Sequence, residues 1–265
     1  MRAFAKRHSL PLYFVLAFAW FWVSLALNRV KPFNFWAPLV GAFAPTVSAV
    51  FITAVTQGET AVRELVRRLW KWRVGWPWYV AAFVIPIAEG LLAISIASAF
   101  RVFHLARINF EMLRATLPGA WVVFLFAAGE ELGWRGYALP RLLSRYNAIG
   151  ATMILGGLHA LWHWPLILLP HQWLSDVPIV PWTTFVIAEA FVFTWLARGT
   201  GGSVMLAALF HGMSNTAMVF YDGVDPRWMP WLKCAVTVLA TVVLVLATGR
   251  ELMWKPARRC DTAPI

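Results

Sequence analysis

The sequence predicts an all-α, polytopic transmembrane helical bundle, and two observations lead to this prediction. Hydrophobic residues make up 60% of the 265-residue chain and charged residues only 13%, with a mean hydropathy of +0.66. Soluble domains are about 45–50% apolar and about 25% charged, so too few charges are present to cover this chain in water. The second observation is a series of apolar segments, each close to the roughly 20 residues that a membrane-spanning helix needs.

Eight such segments follow one another along the chain. The first follows three basic residues, as in a signal peptide, but its apolar run is too long for one and no small-residue cleavage site follows. No long linker or low-complexity region interrupts the series, so residues 1–265 are predicted to form a single membrane domain. The two cysteines, Cys234 and Cys260, are expected to remain free thiols. The predicted spans are roughly 11–27, 36–56, 77–100, 117–134, 148–169, 182–198, 203–220 and 231–248.

The net charge of +11 indicates orientation in the membrane. With the N-terminus inside, sixteen of the 23 basic residues fall in inner loops and tails and seven in outer loops. Cytoplasmic loops are enriched in Lys and Arg, so we expect an integral protein of the cytoplasmic (inner) membrane with both termini in the cytoplasm. The inner residues are Arg2, Lys6, Arg7, Arg63, Arg67, Arg68, Lys71, Arg73, Arg135, Arg141, Arg145, Arg198, Arg250, Lys255, Arg258 and Arg259; the outer ones are Arg29, Lys31, Arg101, Arg107, Arg114, Arg227 and Lys233.

One basic stretch needs a separate interpretation. Residues Arg63–Trp76 mix basic and tryptophan side chains, a pattern typical of an amphipathic helix at the inner membrane surface. The aromatic content fits a bilayer surface better than the basic face of a nucleic-acid-binding protein. The expected partner of this stretch is therefore the lipid bilayer, and no nucleic acid is predicted to bind.

Polar residues inside the spans indicate where the function lies. Ionisable groups in a span cost several kcal/mol unless they are paired, so each is a candidate functional residue. The fourth, fifth and seventh spans each contain a polar pair four positions apart, which places both members on one helical face: Glu131 with Arg135, His159 with His163, and His211 with Asn215. Such polar faces can be buried only against one another. We therefore expect an inward-opening polar chamber in the core at about 117–220, lined by Glu130, Glu131, Arg135, His163, His211 and Asn215.

Helical geometry also predicts different directions for the side chains of the two adjacent glutamates. Glu131 is placed to form an ion pair with Arg135, whereas Glu130 points about 100° away and is free to project into the chamber. The depths of the three spans match only if the fourth continues as a helix past Arg135 towards Pro140. Glu89 and Glu189 each stand alone in a span and are assigned no role.

These residue types are suited to hydrolysis of an amide by activated water. A buried carboxylate beside a histidine can take a proton from water, and a second histidine with an amide can hold the carbonyl oxygen as charge develops there. No Gly-x-Ser-x-Gly or His-Glu-x-x-His sequence occurs, and Ser214 has no special setting. His163, His211 and Glu130 form a possible His2Glu zinc site. The residues leave metal-bound water and water held by glutamate and histidine both open.

At these positions the sequence resembles the CAAX-protease and bacteriocin-processing (CPBP) family of intramembrane proteases, also called the Abi or type II CAAX prenyl endopeptidase family. Its motifs are Glu-Glu-x-x-x-Arg, Phe-x-x-x-His and His-x-x-x-Asn/Asp. The first matches fully at 130–135, and its continuation at 136–142 is one the family favours; the third matches fully at 211–215. The second departs, because His159 stands where the family has phenylalanine and His163 then takes the histidine position. We prefer His163 as the motif histidine and keep His159 as auxiliary.

The resemblance implies an inward-facing chamber in which Glu130 activates water, Glu131 and Arg135 shape the site, and the remaining motif residues complete it. It also implies a peptidase of the metallo- or glutamate type, with zinc as the cofactor in the first case. The expected substrate is a membrane-embedded peptide or a lipidated protein, and bacteriocin maturation or self-immunity is one role that bacterial members have. The alternatives are a proton-coupled transporter that uses the same carboxylates and histidines, and a catalytically silent immunity or scaffold protein.

Overall fold

The computed structural model describes residues 2–27, 40–100, 110–170, 172, 174–218, 224 and 227–253, and within these ranges the predicted all-α helical class is confirmed. A 3-10 turn at Arg68–Trp70 follows the fourth helix, and a π-helix at Leu132–Ala138 joins the sixth to the seventh. The helices are α1 (Arg2–Arg7), α2 (Ser9–Leu27), α3 (Ala44–Gln57), α4 (Glu59–Arg67), α5 (Trp76–Ala99), α6 (Phe110–Glu131), α7 (Leu139–Leu143), α8 (Ala148–Leu168), α9 (Ile179–Gly199), α10 (Val204–Thr216) and α11 (Met229–Thr248).

Each of the eight predicted spans coincides with a helix, although residues 36–39 and 219–220 lie outside the described ranges. Within those ranges, five helices are long and apolar enough to cross a membrane: α2, α5, α8, α9 and α11. The three remaining predicted spans coincide with α3, α6 and α10. Of these helices, α3 and α10 have only 14 and 13 residues, and α6 ends in two glutamates. Polar or interrupted helices are tolerated in a membrane where neighbouring helices surround them, and α10 has most of its residues buried.

The basic, tryptophan-rich stretch is less helical than the sequence predicts. The helix α4 ends at Arg67, and α5 begins only at Trp76. Between them, Arg68 Nη1 donates a hydrogen bond to the Gly136 carbonyl at 2.6 Å, and Lys71 Nζ donates one to the Gly201 carbonyl at 2.7 Å. The stretch is therefore anchored to the π-helix and to the turn between α9 and α10. Of the two predicted free thiols, Cys234 is free, and Cys260 lies outside the described residues.

Aromatic packing joins α2 to α8. The ring of Phe21 stacks on that of Trp162 with centroids 3.8 Å apart, and Trp162 Nε1 donates to the Ala17 carbonyl at 3.3 Å. Trp22 Nε1 in turn donates to the Trp162 carbonyl at 3.3 Å. Because Trp162 is buried and its indole N–H is hydrogen-bonded, these contacts fix the turn of α8 that carries the two histidines.

Small residues let helices approach closely next to the motif segments. A Cβ placed on Gly133 would lie 2.5 Å from the backbone of Pro45, so the π-helix rests directly on the start of α3. A Cβ on Gly156 would lie 3.1 Å from the Ile187 Cα, so α8 and α9 are similarly close. Close backbone approach at small residues is how helices associate in membranes, where the hydrophobic effect contributes little.

Gly133→Ala is expected to destabilise the protein, because the added methyl group overlaps backbone atoms that cannot rotate away. Overpacking of this kind costs about 1–3 kcal/mol. Gly157→Ala, in α8, is the matched control, because a Cβ there meets nothing within 4 Å. Thermal unfolding of the purified full-length proteins measures both variants. Equal melting temperatures for Gly133→Ala and Gly157→Ala would contradict the close packing of α3 on the π-helix.

Candidate active site

The motif glutamates lie at the junction of α6 with the π-helix. The chain continues through the π-helix into α7, so the helical continuation past Arg135 expected from the depth argument is present. Every residue of the π-helix is buried. π-helices are rare and are frequently found at functional sites, and this one coincides with the part of the chain that the sequence singled out.

Glu131 is the centre of a fully enclosed ionic cluster. One of its carboxylate oxygens, Oε1, accepts hydrogen bonds from Arg135 Nη1 at 2.8 Å and from His211 Nδ1 at 2.9 Å. The side chains of Glu131 and Arg135 are 0% and 2% exposed. The predicted Glu131–Arg135 ion pair is therefore present, and it is joined by His211 from a third helix. A buried charge is tolerated when it is paired and hydrogen-bonded in this way.

An aromatic ring that the sequence did not single out completes this cluster. The guanidinium carbon of Arg135 lies 3.6 Å from the ring centroid of Phe193 on α9, a cation–π contact. The same ring meets the His211 imidazole edge-on, with centroids 5.7 Å apart. Phe193 follows Glu189 by four positions and therefore lies on the same face of α9. In the sequence, Glu189 was the only residue that marked this face as polar.

Glu130 lies in a second, histidine-rich group. Its Oε2 is 3.1 Å from His159 Nε2, and the imidazoles of His159 and His163 have centroids 4.8 Å apart. The Glu130 side chain is 12% exposed, whereas that of Glu131 is 0% exposed. The adjacent glutamates therefore have different surroundings, as the 100° separation predicts, and Glu130 is the more accessible of the two.

The second group has the composition of a metal site. One ligand atom each from Glu130, His159 and His163 lies within 4.8 Å of the others. His163 Nδ1 donates to the His159 carbonyl at 2.9 Å, which leaves Nε2 for a ligand. Zinc ligands of this type often have their second nitrogen fixed in this manner. Two imidazoles and a carboxylate suit zinc, so the group fits a metal ion.

This group differs from the predicted ligand set in one residue. The sequence predicts His163, His211 and Glu130, but the structure brings His159 to Glu130 and joins His211 to Glu131. The His159 and His211 rings are 6.5 Å apart, so the two groups are neighbours. The auxiliary histidine is thus in direct contact with Glu130, and spacing alone could not distinguish it from His163 because both lie on one face of α8.

Asn215 occupies a different position from the other motif residues. It is exposed and lines a cavity of about 130 Å³ between α9, α10 and α11, together with Trp182 and Lys233. The cavity adjoins the histidine group, because the ring of Trp182 packs edge-on against that of His163 with centroids 5.9 Å apart. Asn215 therefore lies in a cavity next to the histidine group, and a single chamber lined by all the motif residues stays a prediction.

The isolated glutamates have partners on other helices. Ser214 Oγ donates to the carboxylate of Glu189, so Ser214 does have a specific setting, contrary to the sequence expectation. Thr237 Oγ1 donates to Glu89 Oε2 at 3.1 Å. Glu189 therefore ties α9 to α10 one turn from His211, and Glu89 ties α5 to α11. Both contacts join helices, the role that interhelical polar contacts commonly have in membranes.

A helical membrane protein with a buried centre of carboxylates and histidines is the class that this fold and site define. Residues 111–217 match the family described as type II CAAX prenyl endopeptidase, Rce1-like. The chain is also 26% identical over 188 residues to CAAX prenyl protease 2 of Methanococcus maripaludis, an alignment that covers 67% of this chain and 69% of that protein.

The predicted family resemblance is thereby confirmed: residues 111–217, which carry the motifs, are similar to the Rce1-like family. The matched residues include every predicted site residue, from Glu130 to Asn215. The comparisons support a membrane-embedded endopeptidase and favour neither the transporter nor the silent scaffold. The metallo- or glutamate type of the peptidase, the inner-membrane location, the orientation of the termini and the bacteriocin role stay predictions.

Arg135→Gln is expected to lower the free energy of unfolding by about 3–5 kcal/mol, because it leaves the Glu131 carboxylate buried without its main counter-charge. Arg63→Gln is the matched control, since Arg63 also pairs with a glutamate four positions away, but on an exposed face. Exposed pairs of this kind contribute at most about 1 kcal/mol. Thermal or denaturant unfolding of both variants tests the difference, and similar losses in the two would contradict the buried cluster.

Proposed function

We propose that this protein is an intramembrane endopeptidase that hydrolyses a peptide bond of a membrane-embedded or lipidated substrate, with Glu130 as the general base. The observation that supports this proposal is the division between the two glutamates. Glu131 is neutralised by Arg135 and His211, whereas Glu130 faces two imidazoles and is partly accessible. A carboxylate in such a setting is suited to proton transfer.

The proposed reaction needs one water and one carboxylate. Glu130 takes a proton from the water, and the water oxygen attacks the carbonyl carbon of the scissile peptide bond. The C–N bond then breaks as Glu130 returns the proton to the leaving nitrogen, which yields a carboxylic acid and an amine. His159, 3.1 Å from the Glu130 carboxylate, orients that carboxylate during both transfers.

Charge that develops on the carbonyl oxygen needs a donor on the opposite side of the substrate. His211 is the candidate, because its Nδ1 is held by Glu131 and its Nε2 remains for the substrate. Arg135 and Phe193 hold this pair in place, Arg135 through Glu131 and Phe193 through its contact with Arg135. Asn215 lies beyond the enclosed site and is proposed to contact the substrate chain in the neighbouring cavity.

As the metal-dependent alternative, we propose that Glu130, His159 and His163 would hold zinc, in which case Glu130 would be a ligand and not the general base. The three donors would fit a His2Glu site, since one ligand atom from each lies within 4.8 Å of the others and Glu130 Oε2 is 3.1 Å from His159 Nε2. Zinc bound there would make the attacking water more acidic. The residues around it would still bind the substrate, exclude bulk water and accept the proton.

The proposed substrate carries a lipid group or lies within the membrane. The chain has five helices that are long and apolar enough to cross a membrane, so we propose that a substrate reaches the site from the bilayer or from the membrane surface. Because the chain is similar to CAAX prenyl protease 2 of Methanococcus maripaludis, a prenylated protein is the first lipidated substrate to test. We propose that the protein lies in the cytoplasmic membrane with both termini inside, as the distribution of its basic residues predicts.

Glu130→Gln is expected to reduce cleavage by a factor of about 10²–10⁴, the usual contribution of a general base. The amide keeps the shape of the side chain but cannot take the proton. Glu59→Gln is the control, because Glu59 is exposed on α4 and pairs with Arg63 away from the site. Mass spectrometry of membrane-protein termini, in cells that produce wild-type, Glu130→Gln or Glu59→Gln protein, is the measurement.

The same comparison also separates the alternatives. Termini that depend on Glu130 but not on Glu59 support the peptidase. Unchanged termini in all three strains, with correctly inserted protein, would count against an enzyme. Normal cleavage by Glu130→Gln would remove Glu130 as the base even if the protein is a peptidase.

Zinc content gives a test that does not depend on activity. Protein purified without chelators is expected to hold about one zinc per chain, and His159→Ala and His163→Ala are each expected to lose most of it, since each removes one of three ligands. His8→Ala is the control, because His8 lies outside the site, against Phe4. Elemental analysis by mass spectrometry measures the metal; equal zinc in all four proteins would contradict this ligand set.

A further inference from the structure

A second pocket lies beside the candidate active site, and none of the proposed chemistry uses it. It has a volume of about 290 Å³ and lies where the 3-10 turn after α4, the helix α7 and the turn between α9 and α10 meet. This is far more than the roughly 10–15 Å³ that one buried water needs. Its wall is formed by three arginines with small and apolar residues between them: Arg68, Arg135, Leu139, Pro140, Leu143, Ala197, Arg198, Gly201 and Gly202.

The three arginines are only partly neutralised. Arg135 is paired with Glu131, and Arg198 Nη1 donates to Glu251 Oε2 at 3.1 Å. Arg68 donates to a backbone carbonyl, that of Gly136. Among the described residues, the three guanidinium groups around this cavity are therefore paired with only two carboxylates. Guanidinium groups are suited to bind carboxylate or phosphate oxygens.

Further positive charge surrounds the pocket. Lys71 Nζ bonds to the Gly201 carbonyl on its rim, and a Cβ on Gly201 would lie 2.8 Å from that nitrogen. Arg141 lies on α7, outside the five apolar spans. Burial and, to a lesser degree, the positive charge of Arg68 lower the pKa of the Arg141 guanidinium from its usual range, and the Tyr137 hydroxyl opposes this.

One buried donor in the wall has no partner. Arg135 is 98% buried, being 2% exposed, and its Nη2 lacks a hydrogen-bond partner among the described residues. A buried, unsatisfied donor costs free energy, about 1–3 kcal/mol and more when charged. Because this nitrogen is itself enclosed, Arg135 contributes positive charge to the wall, and Arg68 and Arg198 are the arginines proposed to contact a ligand directly.

We propose that this pocket binds an oxoanion, a phosphate group, through Arg68 and Arg198, while Arg135 adds positive charge to its wall. The group belongs either to the headgroup of an anionic lipid or to a free phosphate compound. All three arginines fall on the predicted cytoplasmic side, where the membrane surface is negatively charged. Because Arg135 also holds Glu131, a phosphate in the pocket stabilises the Glu131–Arg135 cluster. This inference is independent of peptide cleavage.

The test measures thermal stability of the full-length protein in two arms. In detergent, inorganic phosphate is titrated against chloride of equal ionic strength; in lipid nanodiscs, phosphatidylcholine is compared with phosphatidylcholine plus phosphatidylglycerol. We expect a saturable rise in Tm of at least about 2 °C, since a ligand that binds only the folded state stabilises it. Arg68→Gln and Arg198→Gln should each lose most of this rise relative to their own baselines. Arg63→Gln, an exposed arginine of α4, should keep it.

A rise in Tm with inorganic phosphate in detergent would show that a free oxoanion is sufficient to occupy the pocket. A rise in Tm only with phosphatidylglycerol would identify the lipid headgroup as the ligand. Either supports the proposal if it depends on Arg68 and Arg198. No rise in either arm, or an equal rise in all variants, would overturn it. Because the readout is stability, a positive result stands even if Glu130→Gln shows that the protein is not a peptidase.

Discussion

The arrangement of the site depends on one buried interaction, the ion pair between Glu131 and Arg135. Its two charges are almost completely removed from water, and their desolvation is offset only while the geometry brings in further partners. His211 and Phe193 supply those partners from α10 and α9. The pair therefore fixes three segments relative to one another: the π-helix, α9 and α10.

This constraint gives two neighbouring carboxylates different properties. Since consecutive residues of a helix point about 100° apart, a Glu131 that faces Arg135 leaves Glu130 directed towards α8. There it meets two histidines that lie on one face of that helix. One glutamate thus stabilises the structure, and its neighbour remains available for chemistry, an assignment that follows from helical geometry once the ion pair is in place.

Sequence reasoning succeeded where the relation between residues is local. The Glu131–Arg135 pair, the separation of Glu130 and the continuation of the helix past Arg135 all follow from helical spacing within one segment. It could not show which histidine meets which glutamate, because that depends on how α8 and α10 are rotated about their axes. Packing decides this rotation: Trp162 fixes α8 against α2, and the result is His159 at Glu130 and His211 at Glu131.

The same reasoning explains why Phe193 and the arginine pocket were not predicted. A phenylalanine in an apolar span carries no signal of its own, and Arg68, Arg135 and Arg198 are separated by more than sixty residues at each step. They meet because the 3-10 turn after α4 and the turn after α9 both lie beside the π-helix and α7. Arg135 is common to both sites: one guanidinium nitrogen holds Glu131, and the other has no partner within the described part of the chain. A rigid, planar group with several donors can bridge two sites in this way, which a lysine at the same position could not do.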